Sequence, residues 1–375
     1  MRASGRLRAL TAAGVLSALA LTLQPIAVPV AHSAAASSKV DRRIRDSRIT
    51  ESSGLATSRL HPGVLWTHND SGNSPRIYAI GKDGSTDAAL TLRGEPNVDW
   101  EAIATTTGKT GQTLLAIADI GDNNAVRSSV RIALVTEPQK LRTASVTPVR
   151  VLRLRYPGGP RDAEALLADP RDGRLYLVSK SLFGSELYAV PKSVWPGQAV
   201  GAGRVSPVTT MTKVASMSAG LITDGTFLPN GRMLLRGYGK VFVMDRPQAA
   251  RNHRIATLAD ATLPAQEQGE SITVTDDGRR ALIGSEGRRE PVLRIPVPTV
   301  PGDPEAADPT VTLPPDPAAT EPTGTADQGG SRTSQSEPSF VGVGSRRVWT
   351  RLIGGGLAVI ALTVGALRFR TRTRR

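Results

Sequence analysis

The sequence predicts an all-β fold: a β-propeller of five blades, with six as the alternative count, closed by pairing of its N- and C-terminal strands. Three observations predict it. Between about Lys39 and Pro298 the chain consists of short runs of Val, Ile, Leu and Tyr broken by Gly, Asp and Pro, with hardly any 3.6-residue periodicity. An acidic residue followed by a small or apolar stretch recurs at Glu51, Glu101, Glu164, Asp224 and Glu270, at spacings of 50, 63, 60 and 46 residues. Such spacings fit a blade of three or four strands. Third, Asp172-Gly173, Asn230-Gly231 and Asp277-Gly278 are strong hairpin signals, since a two-residue turn needs positive φ at both positions. An open β-sandwich is the competing architecture.

The strands of each unit follow in order. Second strands are predicted at 64–68, 114–119, 174–180, 232–238 and 280–286, and third strands at 76–80, 130–135, 186–190, 240–244 and 292–296. Fourth strands are expected at 88–92, 146–154, 206–214 and 254–258. The fifth unit lacks one. The segment from Ile44 to Thr50 is expected to supply it, which would close the ring and remove its free edges.

Both ends of the chain read as membrane-targeting segments. Residues 1–36 combine Arg2, Arg6 and Arg8, an apolar run and a small-residue stop at Ser33-Ala34-Ala35-Ala36, the parts of a secretory signal peptide. Residues 39–298 are the expected propeller ectodomain. The segment 299–344, dominated by Pro, Thr, Ala, Asp, Gly and Ser, is expected to be a disordered stalk. Residues 348–367 are long and apolar enough for a transmembrane helix of about 20 residues. Trp349 suits its outer interface, and the Arg-rich 368–375 is expected as a cytoplasmic tail. The expectation is a single-pass type I protein of the plasma membrane, with its propeller extracellular.

Composition removes several functions. The chain has no cysteine, hence no disulfide, thiolate zinc site or cysteine nucleophile. Of its net charge of +14, the first 36 residues carry +3 and the last 31 carry +8, leaving +3 between. A nucleic-acid partner therefore loses its support. No G-x-S-x-G, H-E-x-x-H or P-loop motif is present.

If the inner strand of each blade lines a common channel, Glu51, Glu101, Glu164, Asp224 and Glu270 become neighbours and repel. Three remedies are open. A hard cation such as Ca²⁺ takes several carboxylate oxygens, Lys180 and Arg236 can neutralise charge, or backbone amides of the next blade can bond the carboxylates in a structural role. His68-Asn-Asp70-Ser-Gly-Asn73 and Asp119-Ile-Gly-Asp122-Asn-Asn124 add further oxygens in Gly-bent loops, with Asp70, Asp119 and Asp122 as candidate metal ligands. His68, Asp99 and Glu101 are the candidate catalytic groups, His68 being the histidine placed among carboxylates. Lys180 and Arg236 are candidates to bind an anionic substrate group. Trp100 either packs between blades or floors a pocket.

Taken as a set, Glu51-Ser-Ser-Gly-Leu-Ala, Leu65-Trp-Thr-His-Asn-Asp-Ser-Gly, Asp99-Trp-Glu-Ala-Ile-Ala, Ala118-Asp-Ile-Gly-Asp-Asn and Asp162-Ala-Glu-Ala-Leu-Leu resemble bacterial exported WD40-like propellers. That group is distantly similar to the phytase-like and esterase-like propeller families. The resemblance covers about residues 45–298 and implies a propeller fold and export. Phytase-like members bind Ca²⁺ in an acidic channel and hydrolyse phosphate esters; the acidic openings are what could correspond here, without a full set of phosphate-binding residues. The leading expectation is a membrane-anchored binding or scaffolding module with a structural Ca²⁺ and an extracellular protein or anionic small molecule as partner. The alternative is a Ca²⁺-dependent phosphoesterase or esterase-like hydrolase at the channel mouth.

Overall fold

Residues 32–33, 37–108, 110–194 and 203–303 are described in the computed structural model, and they form five antiparallel sheets arranged as propeller blades. Blade one comprises Ser52–Thr57, Leu65–Asn69, Arg76–Ile80 and Thr86–Leu92. Blade two comprises Trp100–Thr107, Thr113–Asp119, Val130–Thr136 and Arg150–Arg155. Ala163–Ala168, Leu175–Ser179, Ser185–Ala189 and Thr212–Met217 make blade three. Ile222–Phe227, Met233–Gly237, Lys240–Met244 and Thr257–Thr262 make blade four. Blade five has Gly269–Val274, Arg280–Ser285 and Pro291–Pro296, and its fourth strand is the N-terminal Lys39–Arg43.

There is no single core. Apolar side chains of neighbouring sheets meet in five separate clusters, one in each gap between blades. Each sheet is thus buried on both faces, which is why its strands read as near-continuous apolar runs. The first strand of every blade is the innermost, so these five strands stand around one axis. Thr57 Oγ1 donates to Val274 O at 2.8 Å and Thr223 Oγ1 to Glu270 O at 2.8 Å, tying neighbouring inner strands together.

Closure differs from the expectation in position. Ile44 to Thr50 is not a strand; the pairing is made by Lys39–Arg43, and Ile44 and Ile49 instead plug the gap between blades five and one. Arg42, also buried there, donates to the carbonyls of Gly63, Ile80 and Gly81 in blade one at 2.7, 3.1 and 3.0 Å. Asp41 receives Arg42 at 2.8 Å and also Arg294 of blade five.

Two further expectations change. The segment 206–214 is split at the buried Met211: Arg204–Thr210 runs parallel to the edge of blade two, and Thr212–Met217 belongs to blade three. Likewise Ala144–Val146 pairs in parallel with blade one. The Asp-Gly and Asn-Gly turns place only their glycines at positive φ, 70°, 82° and 67° for Gly173, Gly231 and Gly278. The preceding Asp or Asn stays in the ordinary region because its side chain accepts the amide two residues on, as Arg174, Arg232 and Arg279 show at 3.0, 3.1 and 3.0 Å.

His32–Ser33, inside the expected leader, pairs in parallel with Asp260–Ala261 of blade four. Among the described residues no helix is long and apolar enough to cross a membrane. The rest of the expected leader, most of the stalk, the span 348–367 and the tail 368–375 lie outside the described residues.

Replacing Arg42 with Met leaves three carbonyls without their donor and should lower stability by about 2–4 kcal/mol. The denaturant midpoint measures this; a midpoint equal to that of the unaltered chain contradicts the closure described.

Candidate functional site at the channel mouth

Every inner strand carries a one-residue irregularity against its second strand, at the same place in all five blades. The residue set off by this bulge is Ser53, Glu101, Glu164, Thr223 or Glu270, and all five are buried. A bulge re-aims its side chain, so these positions form one ring around the channel mouth. Glu51 therefore aligns with Asp99 and Asp162, just before the inner strand, and not with Glu101. A third ring follows the second strands: Asp70, Ile120, Lys180, Tyr238 and Glu286. Their equivalence is marked by one recurring bond, in which the amides of Asp70, Ile120, Lys180 and Glu286 donate to the carbonyls of Glu51, Asp99, Asp162 and Gln268 at 2.8–3.1 Å.

The expected sites now separate. Asp224 falls one residue past the bulge and turns between blades, where it accepts Ile272 N at 2.8 Å and Gly225 N at 2.7 Å. Burial pushes its carboxyl well above the ordinary range, against the pull of those two amides. Arg236 has no solvent exposure and donates to Ser271 O, Gly284 O and Gln266 at 3.0, 2.9 and 2.7 Å. Asp122 caps a loop by accepting Val126 N and Arg127 N at 2.9 and 2.8 Å. Asp119 pairs with Arg127 at 2.6 Å. His68 is fully buried, donates Nδ1–H to Asn69 O at 3.1 Å, and meets Trp100 edge-on at 5.8 Å; burial lowers it to about 4, so it is neutral and closed off from solvent. Trp100 fills the space between blades one and two and bonds Pro96 O.

What the fold brings together is Asp70, Asp99 and Glu101, one oxygen of each lying within 4.8 Å of the others. Gly121 lies against them, and a Cβ there would displace the carboxylates of Asp99 and Glu101. Among the described residues no Lys or Arg hydrogen-bonds any of the three. Glu51, held by Asn73 Nδ2 at 2.6 Å, Glu270 and Glu286 extend the acidic surface. Lys180 pairs with Glu164 and donates to Tyr238 Oη at 2.9 Å, and its charge eases the burial of Asp70, Glu101, Glu270 and Glu286, while Arg127 does so for Asp99.

Burial, then the charges of Asp99 and Glu51, push Asp70 up to about 6. Burial raises Glu101 well above the usual range, with Glu164, Asp70 and Asp99 adding repulsion. Burial also lifts Glu286 to about 8, helped by Glu270 and Asp70. Although burial opposes it, the Glu164 carboxylate holds the Lys180 ammonium above its usual value, so it remains charged. Sequence reasoning passed over Glu286 and Asp162. The signal that finds them is positional equivalence: Glu286 follows its second strand as Lys180 does, and Asp162 precedes its inner strand as Asp99 does.

No family model matches the sequence, and no curated protein is significantly similar to it. Solved structures of similar fold include a PQQ-bound aldose sugar dehydrogenase from Streptomyces coelicolor (14% identity, 71% of this chain and 99% of that one, TM-score 0.39). A glutaminyl cyclase from Myxococcus xanthus is 11% identical over 70% of this chain and 97% of that one, TM-score 0.38. A putative gluconolactonase is 12% identical over 72% and 84%, TM-score 0.39. These likenesses concern the propeller fold alone. The expected scaffolding role is corrected here by the site itself: this mouth concentrates carboxylates with raised proton affinity and no cationic side chain bonded to them, an arrangement typical of reactive sites and costly in a scaffold.

The sign of the pH dependence follows. Asp70 and Glu286 bind protons more tightly folded than at their ordinary values of 3.8 and 4.5. Their contribution is fullest below about pH 4 and is lost as pH rises toward 8. Two groups act in the opposite sense: Asp46, which its hydrogen bonds from Arg48 hold at about 2, does so below this window, and His68, which burial lowers from 6.5 to about 4, does so up to about pH 6.5. In chelator the melting temperature should fall from pH 6.5, above the range in which His68 opposes, to pH 8, and Glu286→Gln should flatten the fall; a melting temperature that rises over this range contradicts the acidic mouth.

Proposed function

We propose that the propeller is a divalent-cation-dependent hydrolase of phosphate or carboxylic esters, with its site at the acidic channel mouth. The observation that carries this reading is the meeting of Asp70, Asp99 and Glu101 oxygens within 4.8 Å, with no cationic side chain bonded to them. Twice a Ca–O distance of about 2.4 Å is about 4.8 Å, so three such oxygens can reach one ion of this size. The donor set is all oxygen, which suits Ca²⁺ rather than a metal preferring sulfur or imidazole. Bound there, the cation supplies Lewis-acid polarisation of the ester and a lowered pKa for an attacking water.

The chain's own groups have separable parts. Asp70, Asp99 and Glu101 hold the cation. Lys180, fixed between Glu164 and Tyr238, attracts an anionic substrate group. Glu286, which burial beside Glu270 and Asp70 lifts to about 8, takes the proton of the attacking water when ionised, at mildly alkaline pH. The sequence resembles exported WD40-like propellers, a group distantly similar to the phytase-like and esterase-like families, without a full set of their phosphate-binding residues, so the reading rests on the site. In this reading residues 1–36 export the chain and 348–367 anchor it, so the site faces the outside of the cell on a stalk.

Full-length protein with Ca²⁺, tested on phosphomonoesters, phosphodiesters and carboxylic esters, should turn over at least one class. Chelator and Glu101→Gln should each reduce that rate about 100-fold or more. The Gln variant should melt no lower than the parent in chelator, since it removes a repelled charge. Turnover that persists in chelator, or none on any ester, would refute the proposal.

A further inference from the structure

Blade four breaks the pattern of the mouth. At the three ring positions each of the other blades contributes two acids, whereas blade four contributes Leu221, Thr223 and Tyr238, and its Asp224 is turned inward. Leu221 sits at φ 51°, left-handed backbone that a bulky residue rarely adopts. That conformation is held by the bond from Leu221 N to Ser181 O at 2.8 Å. The bond joins the blade-four rim to the 180–184 loop of blade three, which presents Leu182 and Phe183 on the same face. Leu182, Phe183, Leu221 and Tyr238 are 67%, 95%, 37% and 48% exposed, so four of the nine exposed large hydrophobics among the described residues gather in this sector.

Isolated exposed hydrophobics are ordinary, but a group of them beside a cluster of carboxylates and a lysine is the composition of a surface that takes a ligand with both polar and apolar parts. Lys180 is the junction: its Nζ reaches Glu164 on the acidic side and Tyr238 Oη on the apolar side, and lies 5.2 Å from the Tyr238 ring centroid. A ligand with its anionic head at Lys180 and the cation-holding acids thus has its remaining bulk over blade four, not over water. We infer that the mouth is built for amphiphilic anions: the ester substrate carries a lipophilic group that lies across Leu182, Phe183, Leu221 and Tyr238. This rests on the hydrolase reading for the identity of the head group, and on the apolar sector for the tail.

The test uses the full chain in nanodiscs with Ca²⁺, with methyl-, butyl- and hexylphosphonate as non-hydrolysable probes and empty nanodiscs as the blank. Calorimetric affinity should climb about three- to fourfold per added methylene. The climb should flatten in Phe183→Ser combined with Leu221→Gly, of which the first removes an exposed ring and the second relieves backbone strain. Phe183→Ser alone, at a site without packing partners, keeps the test available if the pair folds poorly. The same preparations are assayed with acetyl, butyryl and hexanoyl esters. A chain-length slope in binding, with or without turnover, supports the inference; slope without turnover removes only the hydrolase reading. Affinity independent of chain length, or a slope unchanged in the variants, overturns it even where esters are hydrolysed.

Discussion

Ring closure between blades five and one is the constraint on which the mouth depends. Four of the five gaps between blades lie between sheets adjacent in sequence, whereas the fifth joins ends of the propeller more than 200 residues apart. That gap holds the smallest of the five apolar clusters, and its strength is supplemented by Arg42, whose guanidinium reaches three blade-one carbonyls, and by Asp41, gripped from two sides. The ring must close against repulsion, because Glu51 and Asp70 of blade one then face Glu270 and Glu286 of blade five. Packing at the closure and the crowding of charge at the mouth are therefore opposed terms of one balance.

The same opposition explains the chemistry. Carboxylates brought close without counter-ions either take up protons or take up a cation. The inner strands resolve this differently around the ring. Asp224 is absorbed by backbone amides, Glu164 by Lys180, and Asp119 by Arg127. Asp70 accepts only the amide of Ser71 and Glu101 the hydroxyl of Ser53, and no Lys or Arg among the described residues bonds either of them or Asp99. Stability forgone at one sector of the mouth, while neighbouring sectors are neutralised, is the imbalance that the proposed cation would relieve. Blade four, with no acid in its rings, gives that sector an apolar opposite side.

Much of this was legible in the residues. The five acidic openings and the Asp-Gly and Asn-Gly turns set the blade count and the second strands, because turn chemistry is local. Outer strands were less legible: Ile44 and Ile49 look strand-like, yet serve as plugs, and the run 206–214 conceals a change of partner at Met211. Register was the main obstacle at the site. An acid one or two residues out of phase looks equivalent in sequence, but side chains alternate along a strand, so Asp224 faces a blade interface and Glu51 joins a different ring from Glu101. The bulges that set these phases leave no mark in composition. His68, apparently set among carboxylates, is carried by the same alternation into the gap against Trp100.

The most direct test of the account is crystallographic. Crystals of the full chain grown with Ca²⁺, or soaked with a lanthanide as its anomalous substitute, should show one peak about 2.3–2.6 Å from oxygens of Asp70, Asp99 and Glu101 together. That peak should vanish in Asp99→Asn. Density for an ion elsewhere on the propeller with none between these three carboxylates, or a mouth in which they stand apart, would contradict the claim that the fold converges them to hold a cation.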